Sequence, residues 1–172
     1  MKRMILLLLL GLIFVVQPVQ ARLGETLAQC IERYGPVQEE VAASVTESDA
    51  KACIFSKKGV TTLVEFKNGT AWRIVFRLKD MTPGEAESLL KANLPEGGWG
   101  AALKFDGQEY RLSANRRRVA VYAPTKASTE ISTLTIASRD YADASYAACS
   151  ARIAEALKNV KEHIAGKDLK DF

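Results

Sequence analysis

The chain has 172 residues, 48 % hydrophobic and 26 % charged, with a formal net charge of +4. That composition excludes a disordered, collagenous or coiled-coil protein, and the length suits one domain or two small ones. One histidine and three cysteines leave too few ligands for a zinc site, so no metal or other cofactor is expected.

The first 21 residues read as an export signal. Lys2 and Arg3 supply a positive start, Met4 to Val16 carry no charge, and Val19-Gln20-Ala21 places small residues for cleavage after Ala21. The apolar run is too short for a spanning helix. Without Lys2 and Arg3 the chain keeps 22 basic against 20 acidic residues, about +2, too weak a charge to point to nucleic acid. The expected product is exported, periplasmic or extracellular, with no membrane span once the signal is removed.

The expected domain covers 22–139. Thr26-x-x-Gln29 is a capping box, followed by Leu27, Cys30, Ile31 and Tyr34 at helical spacing, with Gly35 as a left-handed cap and Pro36 as the stop. Val37 to Lys51 is polar and reads as a loop. Ala52 to Ser56, Val60 to Lys67 and Thr70 to Lys79 read as strands, joined by turns at Lys58-Gly59 and Asn68-Gly69. Asn68-Gly69-Thr70 also matches a glycosylation sequon, which the hairpin turn already explains. In the third strand Trp72, Ile74, Phe76 and Leu78 alternate with Arg73, Val75, Arg77 and Lys79, predicting a core face and a wet, basic face.

A second capping box, Thr82-x-x-Glu85, opens another helix with Pro83 at its first position; Pro95 and the glycines around Trp99 end it. Strands are then expected over Ala101 to Phe105, Glu109 to Ser113, Arg118 to Tyr122 and Ile131 to Ala137. From about Asp143 a stripe of Tyr146, Cys149, Ile153, Leu157, Val160 and Ile164 predicts an amphipathic C-terminal helix within 140–166, and 167–172 is a flexible tail. The helix is expected to dock on the sheet; the same spacing also suits a homodimer. The expected fold is α+β: an antiparallel sheet with helices packed on one face. The two capping boxes, 56 residues apart, suggest a tandem helix-plus-sheet repeat.

The opening Arg22-Leu23-Gly24-Glu25-Thr26, with Gln29-Cys30 and Arg33-Tyr34-Gly35, resembles the mature start of small, uncharacterised exported bacterial proteins. A capped helix followed by antiparallel strands is similar in layout to small outer-membrane assembly lipoproteins and to the beta-lactamase inhibitor protein. That resemblance implies a binding module and not an enzyme. The chain departs from the lipoproteins at Leu27-Ala28-Gln29-Cys30, where the bulky Gln29 precedes the cysteine.

Export places Cys30, Cys53 and Cys149 where disulfides persist. Cys30 and Cys53 are the preferred pair; the other reading is three small buried apolar residues. His163 is the only imidazole, about 21 Å along one helix from Cys149, so those two form no dyad. The catalytic alternative is therefore a thiol-dependent enzyme using Cys30 or Cys53 with His163. The non-catalytic reading is a binding module for an unidentified protein or envelope component. Its candidate contacts are Arg73 and Arg77, in a basic patch with Lys79 and Arg116-Arg117-Arg118, and Trp99 on its Gly-rich loop. A solvated charged face and a tryptophan folded over a helix–sheet seam are the plain readings of the same residues.

Overall fold

The computed structural model describes residues 22–44, 49–125, 131–147 and 155. The leader and its cleavage point, Cys149, His163, most of the expected final helix and the tail lie outside the described residues.

Helix α1 (Leu27–Tyr34) leads into strands β1 (Glu39–Val41), β2 (Lys51–Lys57), β3 (Val60–Lys67) and β4 (Thr70–Lys79). Helix α2 (Pro83–Ala92) leads into β5 (Leu103–Phe105), β6 (Gln108–Leu112), β7 (Arg118–Ala123) and β8 (Ile131–Ser138). Residues 139–147 form a further helix, α3. Each set of strands is an antiparallel meander, and β4 pairs with β8 to join them in one eight-stranded sheet of order β1-β2-β3-β4-β8-β7-β6-β5.

This corrects the expected α+β layering. Among the described residues 45 % are strand and 24 % helix, in three short helices, so the fold is β-rich and the sheet is one continuous structure. The reason is length. Eight strands at about 4.8 Å spacing span roughly 34 Å, whereas a ten-residue helix is about 15 Å long. Cap and stop residues close α1 after eight residues and α2 after ten, before either can form a layer.

Local chemistry explains the joints. Both capping boxes form: Thr26 accepts from the Gln29 amide and Thr82 from the Glu85 amide, and each partner side chain reaches back. Lys58-Gly59, Asn68-Gly69 and Asp106-Gly107 all have positive φ at both positions, the twist-matching form of a two-residue hairpin. Gly35 closes α1 with φ 88° and ψ −172°, so its positive φ comes with an extended ψ and not with the expected left-handed cap. The stretch expected as a loop holds β1, and α3 starts at 139, four residues before Asp143, with Ser138 Oγ accepting from the Tyr141 amide at 3.1 Å.

The two faces of the sheet follow from the register, since directly paired residues share a side. The first face carries the main core: Cys53, Phe55, Val64, Ile74, Phe76, Tyr122, Leu134 and Ile136, joined by Cys30 and Tyr34 from α1 and by Ala86 and Leu90 from α2. The second face is not the expected wet one. Ala52, Leu63 and Val75 are buried there, with Val41, Ala43 and Ile54 against them.

A β-bulge also re-sorts β4. Phe66 pairs with Ala71 and Glu65 with Arg73, so Trp72 is the extra residue and the register shifts. Ala71 therefore occupies the main core. Trp72 packs in a separate cluster with Ala137 and Tyr141 of α3, not beside Ile74 and Phe76.

Candidate functional site

The two described cysteines are free thiols in one core cluster. Cys30 is fully buried, and burial, followed by the nearby Glu25 carboxylate, pushes its thiol up to about 12. Burial and Glu40 raise Cys53 as well. Nucleophilic cysteines sit in surroundings that lower the pKa, the opposite of this environment. Among the described residues no group of three or more His, Cys, Asp or Glu side chains is placed to hold a metal ion.

The expected basic patch is dispersed. Arg73 contacts buried Glu65 at 2.7 Å and lies over the Tyr141 ring at 5.2 Å. Arg77, opposite Thr133, is exposed with Lys79 toward one end of the sheet, while Arg116, Arg117 and Arg118 sit at the opposite end, where Arg118 faces Ser138. Trp99 is half-buried against the main core, and its indole Nε1 donates to the Leu90 carbonyl at 3.0 Å. It therefore ties the Gly-rich loop to the end of α2.

A cleft of about 640 Å³ lies at the start of α2 between Met81, Thr82, Glu109, Tyr122, Thr125 and Ser132. Tyr122 donates to the Met81 carbonyl at 2.6 Å, and Ser132 Oγ accepts from the Thr125 amide at 3.3 Å. Both polar groups are already used in holding the wall together.

The second face of the C-terminal meander differs in character. Leu103, Tyr110 and Val121 pair across β5, β6 and β7, with Leu112 and Val119 one step along. Leu103 is 69 % exposed, Phe105 74 % and Leu112 41 %. A shallow groove of about 220 Å³ runs between Leu103, Tyr110, Leu112, Val119 and Val121. β5 is the last strand of the sheet, so beyond it lies an open edge among the described residues. The alternating Leu103-Lys104-Phe105 made a strand legible in the sequence; that both apolar residues face outward depends on β5 being outermost, which is not a local signal.

No family model matches the chain. No curated protein matches it either. A cysteine-rich secretory protein from Staphylococcus aureus is a structural neighbour with TM-score 0.41 and 11 % identity; the match covers 69 % of this chain and 45 % of that one. This chain thus spans under half the length of that neighbour.

Proposed function

We propose that this chain is an exported, non-catalytic module that binds a protein or envelope component, and that its contact surface is the apolar strip on β5–β7. The observation that carries the reading is the exposure of Leu103 and Phe105 on an edge strand. Their neighbours Tyr110, Val119 and Val121 are only half-buried. Large apolar side chains grouped beside an unpaired strand edge suit an extended protein segment that adds backbone hydrogen bonds to β5 and sets its own apolar residues into the groove. The raised thiols of Cys30 and Cys53 favour this reading over the thiol enzyme.

The test is a double substitution, Leu103→Asp with Phe105→Asp. These exposed sites should change folding stability by no more than about 0.5 kcal/mol each. Cross-linking in the extracytoplasmic fraction should yield a defined adduct with the parent protein, at least about tenfold weaker with the double variant. An adduct of equal yield from both proteins would refute the assignment of the strip, and an adduct of twice the chain mass would identify a second copy as the occupant. Export has its own readout: N-terminal sequencing of the secreted protein should start at Arg22. An intact Met1 on the exported protein would overturn cleavage after Ala21.

A further inference from the structure

A second cleft, about 370 Å³, lies at the other end of the sheet and is independent of the β5–β7 strip. It is framed by the Asn68 hairpin, the start of β7 and the end of β8. Its lining carries three cations, Lys67, Arg117 and Arg118, against one carboxylate, Asp140. Trp72 forms part of the wall, with the Lys67 ammonium 4.7 Å from its ring centre.

The arginines are held by a defined turn. Asn115 Oδ1 accepts from Ser113 Oγ at 2.7 Å and from the Arg117 amide at 3.1 Å, and Ser113 Oγ accepts from the Arg118 amide at 2.9 Å. The Arg117 carbonyl accepts from the Arg139 amide at 2.8 Å, which fixes the run against the start of α3. Yet neither the Arg117 nor the Arg118 guanidinium has a hydrogen bond or ion pair among the described residues.

For Arg118 this is costly. Its side chain is partly buried, and desolvation lowers its pKa, with no ion pair among the described residues to offset the loss. Among the described residues the other partly buried arginines, Arg33, Arg73 and Arg111, each pair with a glutamate. Arg118 is the exception, and it lines a cavity. Trp72 adds a buried indole Nε1 that also lacks an acceptor among the described residues. A planar guanidinium fork with no internal partner matches a two-oxygen anion, which would restore the charge-assisted hydrogen bonds that the fold leaves unmade.

We propose that this cleft is a binding site for a small oxyanion, a carboxylate or phosphoryl group, held by Arg117 and Arg118. The experiment titrates the purified exported protein separately with inorganic phosphate and with citrate at constant ionic strength, by calorimetry, with tryptophan emission as a second readout. At least one anion should bind saturably, with a Kd of about 1 mM or tighter. Arg117→Gln and Arg118→Gln should each weaken it about tenfold. Arg77→Gln, at the opposite end of the sheet, should leave it unchanged. Preference between the two probes identifies the phosphoryl or the carboxylate source.

The absence of saturable binding by both probes would overturn the proposal, as would an equal loss in Arg77→Gln, which would mark diffuse charge attraction. Should Arg118→Gln fail to fold, the exposed Arg117→Gln decides alone: unchanged affinity there removes the site.

Discussion

Replacing Arg73 with alanine is expected to destabilise the protein by about 3–5 kcal/mol, as breaking a buried ion pair from one side does. Glu65 is buried, and its Oε1 collects three donors: Arg73 Nη1 at 2.7 Å, Ser44 Oγ at 2.6 Å and the Ser44 amide at 3.2 Å. Its Oε2 has no partner among the described residues. Without Arg73 the buried carboxylate keeps only the two Ser44 donors. The partners are unequal, because the Arg73 side chain retains 19 % exposure and Glu65 retains 1 %. Glu65→Leu should therefore cost less than Arg73→Ala, since the orphaned guanidinium still reaches solvent. Glu65→Leu combined with Arg73→Met should recover most of the loss, because an apolar pair avoids both desolvation penalties. Urea unfolding of the three variants measures this. An Arg73→Ala cost below about 1 kcal/mol would mean that the pair behaves as a surface bridge.

The position of that pair shows where sequence reasoning stops. Val64-Glu65-Phe66 alternates, so Glu65 reads as a solvated residue on the outer face of a strand. Its burial depends on residues far away in sequence: Ser44 folding over the second face, and α3 bringing Tyr141 onto Arg73. Features set by neighbours in sequence were legible. The capping boxes at Thr26 and Thr82, and the hairpins at Lys58-Gly59 and Asn68-Gly69, all rest on chemistry within four residues. Features set by pairing were not. The bulge that moves Trp72 off the main face has no signature in Thr70-Ala71-Trp72-Arg73, because it arises from how β4 registers on β3. β1 is two glutamates and a valine, a strand only because β2 offers an edge. The α+β expectation fails for the same reason: each helix has its own caps in the sequence, but how little of the fold they hold beside an eight-stranded sheet is set by strand pairing.

The candidate sites divide in the same way. The arginine run 116–118 is plain in the sequence, but the cleft beside it needs the Asn68 hairpin and the end of β8 to arrive there. Arg73 looked identical to Arg77 in the alternating pattern, and only a buried partner distinguishes them. Trp99 reads from sequence either as an exposed anchor or as a cover for a helix–sheet seam, and its indole Nε1 donates to the Leu90 carbonyl of α2, nine residues back, as the second reading requires.

Alkaline pH should reveal the environment of Cys30. In reducing buffer, the parent protein is expected to lose roughly 2–3 kcal/mol of stability between pH 8 and pH 11 relative to Cys30→Ala. The sign follows from the thiol's two states. Its ordinary pKa is 9.0, and in the folded core it rises to about 12. Below pH 9 the thiol is neutral folded or unfolded, and its contribution is fully present. Above pH 9 the unfolded chain releases the proton first, so unfolding gains free energy with each pH unit until the folded thiol ionises near pH 12. Cys53 shifts in the same direction and is present in both proteins, as are the lysines and tyrosines, so the difference between the two pH profiles reports mainly Cys30, with its weaker coupling to Cys53. The alanine variant will be less stable at pH 8 because it leaves a small cavity, but that cost does not depend on pH. Urea midpoints at pH 8, 9, 10 and 11 for both proteins give the comparison. Profiles that run parallel would mean that Cys30 ionises as it does in water, and would refute its place in a dry core between α1 and the first face of the sheet.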